Sequence, residues 1–187
     1  MKIPASRWFP AIFSRRSKSR MITAEQIISL LQLEPHPEEG GYYVETYRSG
    51  EKIPEPVLPE RYKGARSFAT AIYYLLTPHT FSVMHRLQTD EIFHFYLGDP
   101  VEMLQLGPDD SGKVLILGTN LLGGMHPQVI VPAGVWQGSR LLPGGRFALL
   151  GTTVSPGFER ADYEHGPRDL LVHSYPRFRD QIVSLTK

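Results

Sequence analysis

Apolar positions fall at helical spacing only near the two ends of this chain; between them they alternate or cluster in short runs. Near the start, Thr23 is placed as an N-cap and Gln26 completes a capping box. Ile27, Ile28, Leu30 and Leu31 then form an apolar face that predicts a helix ending before Pro35 and Pro37. A turn at Pro37-Glu-Glu-Gly-Gly41 leads into Tyr42–Arg48, which reads as a strand. Its parity predicts Tyr43, Glu45 and Tyr47 on one face and Tyr42, Val44, Thr46 and Arg48 on the other. Residues 49–64, with Pro54, Pro56 and Pro59, read as a surface loop placed to act as a lid.

From Ser67 the pattern is strand after strand: Ser67–Leu76, Phe81–Leu87, Glu91–Leu97, Val101–Leu106 and Val114–Leu117, then Val129–Val131, Val135–Leu142 and Arg146–Val154. Gly107-Pro-Asp-Asp-Ser-Gly112 predicts a hairpin, and Pro143-Gly-Gly145 predicts another that pairs Arg146–Val154 back on its predecessor. Short strands, frequent Gly/Pro turns and no helical period between them predict a mainly β fold, an antiparallel sandwich or barrel. Pro167–Val172 and Pro176–Leu185 return to helical spacing, the second with Pro at a first helical position.

Composition narrows this picture in three ways. The 187 residues suffice for one domain with a substantial core. With no Cys there are no disulfides, thiolate metal sites or cysteine nucleophiles, which fits a reducing compartment. No apolar run reaches the roughly 18 residues needed to span a bilayer. Charge divides the chain: residues 1–20 hold six of the 20 basic residues and no acid, leaving 14 basic against 19 acidic beyond them, a net of −5. Residues 1–20 therefore read as a basic N-terminal extension, disordered or transit-like, ahead of a domain at 21–187. Cytoplasmic residence is expected, with an organelle as the alternative if the extension is a transit peptide. The acidic body argues against nucleic-acid binding.

Candidate chemistry concentrates between Ser82 and Gly98. His85, Leu87, Glu91, Phe93 and Phe95 share one parity; Arg86, Asp90, Ile92, His94 and Tyr96 share the other. If the first set faces inward, a His and a Glu enter a cavity walled by apolar side chains, where a carboxylate must be paired, hydrogen-bonded or bound to a cation. His94 falls on the opposite face. His36, His79, His126, His165 and His173 lie near turns or in the tail, where solvation is the default. Arg48, closing a Tyr-rich strand, suits either an anion clamp or an ordinary ion pair. Tyr43, Tyr47, Phe93 and Trp136 are candidate ligand contacts that would serve equally well as core or wall aromatics.

At these residues the chain resembles the cupin superfamily. The first cupin motif runs Gly, five residues, His-X-His, three or four residues, Glu, six residues, Gly; His85-X-Leu87, Glu91 and Gly98 keep that spacing. The second runs Pro-X-Gly, two residues, His; here Pro132-X-Gly134 leads to Gln137. With Glu39-Gly-Gly-Tyr-Tyr-Val-Glu-Thr-Tyr-Arg48 and Asp90-Glu-Ile-Phe-His-Phe-Tyr96, residues 21–185 resemble the uncharacterised Cupin_5 (DUF985) branch. The resemblance implies a single jelly-roll β-barrel domain, usually homodimeric, akin to sugar-nucleotide epimerases and other small-molecule cupins.

Metal-binding cupins use three His and one Glu. This chain keeps His85 and Glu91 but has Leu87 and Gln137 at the other two His positions. A divalent metal on His85, Glu91 and Gln137 is thus disfavoured though left open, and no firm cofactor is indicated. Three functions stay open: a binding module for a small ligand; a metal-independent isomerase or epimerase acting on a sugar-like substrate; and a metal-dependent enzyme. In the second, His85 is the base oriented by Glu91, Tyr43 or Tyr47 the acid, and Gln137 an oxygen-binding group.

Overall fold

A computed structural model describes residues 21–187, so the basic extension and its disordered or transit-like reading lie outside the described residues. The first helix, α1 (Ala24–Leu31), starts where the capping box places it: the Gln26 amide donates to the Thr23 hydroxyl at 3.3 Å, and the Thr23 amide donates to Gln26 Oε1 at 3.0 Å. It ends at Gln32, which turns left-handed with φ 54°.

Among the described residues thirteen strands follow: β1 (Glu34–Pro35), β2 (Tyr42–Arg48), β3 (Lys52–Ile53), β4 (Arg66–Ser67), β5 (Thr70–Leu76), β6 (Phe81–Leu87) and β7 (Glu91–Gly98). Then come β8 (Val101–Leu106), β9 (Gly112–Leu117), β10 (Gln128–Val131), β11 (Trp136–Leu141), β12 (Ala148–Val154) and β13 (Tyr163–His165). Two short helices, α2 (Arg168–Ser174) and α3 (Arg179–Ser184), close the fold, with Pro176 opening a single 3-10 turn between them.

One sheet has the order β1-β2-β5-β12-β7-β10, the other β13-β6-β11-β8-β9, and every pairing within them is antiparallel. Their inner faces enclose a core of Tyr74, Leu76, Phe93, Phe95, Val101, Met103, Leu141 and Leu150, as expected of a β-sandwich closing into a jelly-roll barrel. Each sheet also buries part of its outer face. Ile27 and Leu33 cover Leu75, Phe147 and Leu149 on the first. Leu171, Tyr175, Ile182 and Leu185 cover Met84, Leu104 and Trp136 on the second. No helix among the described residues is long and apolar enough to cross a membrane.

The structure departs from the sequence pattern in four places. The turn at Pro143-Gly-Gly145 does not make a hairpin: β11 pairs with β6 and β8, whereas β12 pairs with β5 and β7 in the other sheet. The expected strand from Ser67 begins at Thr70, because Arg66 and Ser67 pair instead with β3. In β2, Glu45 faces Ile72 and Tyr47 faces Ala71, so Thr46 is a bulge that switches parity. Finally, residues 49–64 do not line the cleft described below and are pinned to the barrel, Arg61 donating to the Gln88 carbonyl at 2.9 Å and Thr89 donating to the Tyr62 hydroxyl at 2.8 Å.

Candidate functional site

A cleft of about 460 Å³ opens between β2, β5, β12 and the start of β7. Its apolar walls are Tyr43, Ile72, Leu87, Val154 and Phe158, and its polar groups include Glu39, Glu45, Arg48, Thr70, Glu91 and Thr152. The Thr46 bulge explains one wall. Tyr43 and Glu45 precede it and face inward; Arg48, on the other parity by count, returns to the same side after the extra residue. Tyr47 is turned out and is 55 % exposed.

Glu91 opens β7 opposite Val131 and Val154 and is 7 % exposed. Behind it, His85 and Gln137 face each other across β6 and β11 and are 0 % and 1 % exposed. His85 Nδ1 lies 2.7 Å from the Val83 carbonyl, which only accepts, so that nitrogen carries the proton. Burial holds the His85 pKa below 6.5, keeping the ring neutral and Nε2 a lone-pair acceptor. Gln137 fills that need: its Nε2 donates to His85 Nε2 at 2.7 Å and to Glu91 Oε2 at 3.2 Å. Both amide protons are then used, and Gln137 Oε1 has no hydrogen-bond partner. The Tyr163 ring stacks on His85, centroids 5.2 Å apart, and closes its other side.

The sequence pattern missed Glu39 and His36. The turn from His36 to Gly41 folds over β6: the Val83 amide donates to the Glu39 carbonyl at 2.9 Å, and His36 Nδ1 accepts the Glu38 and Glu39 amides at 3.3 and 2.9 Å. Gly40 permits the approach, with φ +88° and a position where a Cβ would stand 2.5 Å from the Phe81 carbonyl oxygen. Glu39 Oε1 is thereby set 3.6 Å from His85 Nε2 and 3.7 Å from His36 Nε2. The signal available in the sequence was a pair of acids directly before two glycines; nothing in its period showed where that turn would land.

Two carboxyl groups thus meet at the inner end of the cleft. Burial first, and then the Glu39 carboxyl, push the Glu91 pKa from 4.5 up to about 7, against the lowering effects of His85 and Thr152. Glu39 is raised as well, chiefly by burial. The other candidates lie apart. Arg48 is committed to Glu45 (3.0 and 2.8 Å), to Glu159 (3.0 Å) and to the Phe158 carbonyl, so it stands in an ion-pair network and not free to clamp an anion. Phe93 faces inward but packs in the core between the sheets. Trp136 points to the opposite side of its sheet, under the C-terminal helices, with the Arg86 guanidinium 4.3 Å from its ring. Tyr47, Phe93 and Trp136 therefore do not line the cleft.

Residues 25–166 match the family described as Cupin superfamily (DUF985). The chain belongs to the Cupin_5 family. An uncharacterised yeast protein, YML079W of Saccharomyces cerevisiae, is 32 % identical over 147 residues, 74 % of this chain and 73 % of that one. Two solved structures share the fold at 33 % identity. A hypothetical protein from Leishmania major has a TM-score of 0.79, covering 88 % of this chain and 99 % of its own. Protein SO0799 from Shewanella oneidensis has a TM-score of 0.78, covering 89 % and 99 %.

The residues of this cupin do not fit a cupin metal. Leu87 replaces one ligand with a hydrocarbon. Gln137 turns N–H groups, not its oxygen, towards the two remaining candidates, and occupies the His85 lone pair that an ion would need. Among the described residues no three His, Asp or Glu side chains are grouped to hold a metal ion.

Proposed function

We propose that this cupin binds a small molecule in the cleft, using Glu39 and Glu91 as the groups that touch it and His85 and Gln137 as the groups that hold Glu91. One observation carries the reading: the carboxyls of Glu39 and Glu91, the latter held from behind by Gln137 and His85, stand at the inner end of an open cleft walled by Tyr43, Ile72, Leu87, Val154 and Phe158. Burying a carboxyl is costly unless it is hydrogen-bonded or paired, Glu39 has no side-chain hydrogen bond among the described residues, and apolar walls with convergent polar groups characterise ligand sites. A fragment screen by thermal shift tests it, since a ligand that binds the native state must raise its stability. Expected are hits that stabilise the native chain and lose their effect in Glu91→Gln; a broad screen without stabilising hits would sink the reading.

A second reading follows from Glu91 alone. A carboxyl with a pKa of about 7 is half-protonated at neutral pH, so it can both take and return a proton, as a cofactor-free isomerase or epimerase requires. The roles expected from sequence are then exchanged. His85 has no exposed surface and its Nε2 is engaged, which makes it the orienting group; Glu91 is the acid–base group, and Tyr43 in the cleft wall stands as the second. On a sugar-like substrate that the protein isomerises, Glu91→Gln should lower kcat by about 100-fold or more. Unchanged turnover would exclude the role.

A further inference from the structure

We infer that the ligand of this cleft carries a protonated amine, seated against the carboxyl groups of Glu39 and Glu91, on a small apolar body. The inference rests on the cleft being a binding site and narrows it to a chemical class.

The inner end of the cleft is rich in acceptors and short of donors. Glu39 receives no hydrogen bond to its side chain among the described residues; its nearest polar neighbours, His36 and His85, stand 3.7 and 3.6 Å away. Glu91 shares the Gln137 amide with His85. Gln137 lies behind Glu91 and does not line the cleft, so the acceptors that face a ligand at this end are the two carboxyls.

Among the described residues two arginines stand at the cleft, and neither is directed at Glu39 or Glu91: Arg48 pairs with Glu45 and Glu159, and Arg160, with a side chain 84 % exposed, pairs with Glu38. No lysine lines the cleft. His36 and His85 are both kept neutral by burial. An ammonium offers a full charge and three donors to a site built of acceptors, and Tyr43, Ile72, Leu87, Val154 and Phe158 would cover the body that bears it. A carboxylate or phosphate ligand would meet two acids at this inner end, with the arginines of the described residues paired to other acids.

The groups facing Glu91 are Glu39 from the preceding turn, His85 on β6, Gln137 on β11 and Thr152 on β12. His36, Tyr74 and Tyr163 stand around Glu39 and His85. None of them brings a positive charge, so an arriving ammonium displaces the proton that Glu91 holds, which passes to solvent. Affinity should therefore rise with pH through neutrality.

Benzylammonium, benzyl alcohol and benzoate share one body and differ in charge, and each is titrated into the ¹⁵N-labelled protein at pH 6 and pH 8. Expected is saturable binding of benzylammonium that shifts the amides of residues 70–72 and 152, about tenfold tighter at pH 8, with proton release at pH 6 by calorimetry. Glu91→Gln and, separately, Glu39→Gln should each weaken it by about tenfold or more, with unchanged folding seen in the rest of the spectrum. If benzyl alcohol or benzoate occupies the cleft and benzylammonium does not, the amine class is overturned while the binding site stands. If all three fail while other fragments bind there, the amine class is again overturned; if no fragment of any kind binds, the site itself falls with it.

Discussion

Glu91 opens β7 with a carboxyl that the folded chain keeps protonated far above the usual range, and this has a consequence for stability. Its pKa is about 7 in the folded protein against 4.5 for the ordinary group, raised by burial and by Glu39. A raised carboxyl pKa favours the folded state fully below the ordinary value, and the contribution is lost as pH rises through the folded one. Between pH 4.5 and 7 the loss attributable to Glu91 should reach about 3 kcal/mol. His36 and His85, held below 6.5, act with the opposite sign on acidification, so the informative quantity is the difference between two proteins. Denaturant melts across this range should show wild type losing stability relative to Glu91→Gln as pH rises, because the amide has no charge to bury. Parallel curves would mean that Glu91 is ionised throughout. The residue types at this site were legible in advance: His85 and Glu91 follow from parity and spacing. Their division of labour was not, because burial of His85 and the two-pronged donation by Gln137 depend on how β6 and β11 meet.

Among the elements, the short turn from Arg160 to Asp162 shows how the cleft rim is held. Asp162 pairs with Arg66 through both oxygens, at 3.1 and 2.7 Å, and accepts the Glu159 amide at 3.2 Å. Arg66 and Asp162 are 1 % and 3 % exposed. Asp162→Ala would strand a buried guanidinium, a change that costs about 3–5 kcal/mol, and would release the segment that places Glu159 beside Arg48. Thermal unfolding should drop by about 10 °C; a loss below about 1 kcal/mol would show that the carbonyls of residues 63–65 suffice for Arg66. The eight longer strands from β5 to β12 followed from alternation and turn residues, though β5 begins at Thr70 and β12 at Ala148, and the two- and three-residue strands β1, β3, β4 and β13 left no period to read. The α1 cap followed from Thr23 and Gln26. Two further features were not legible. A bulge such as Thr46 leaves no mark in a period of two, yet it decides that Arg48 and not Tyr47 reaches the cleft. Pro143-Gly-Gly145 announces a turn without saying whether the chain stays in one sheet or crosses to the other.

At the scale of the whole molecule, we propose a twofold assembly, as the resemblance to cupins implies. Its placement follows from which surfaces the fold leaves open. The edge of β2 is closed to such a contact: β1 covers it at Tyr42 and Tyr43, and beyond them the Thr46 bulge and the Glu45–Arg48 pair blunt it against strand pairing. The outer face of the six-stranded sheet is the better surface. Past α1 it exposes Tyr96 (49 %), Leu97 (38 %) and Ile130 (54 %), with Tyr96 edge-on to Tyr73 and Ile130 paired with Ile92 on the adjacent strand. A self-complementary contact there would bury an apolar stripe on both copies about one axis. Light scattering at micromolar concentration should therefore report twice the 21.1 kDa chain mass. Tyr96→Lys combined with Ile130→Lys should return it to one chain mass while leaving the cleft, on the inner side of the same sheet, able to bind. A monomeric wild type refutes the assembly, and a double variant that stays dimeric moves the contact to another face.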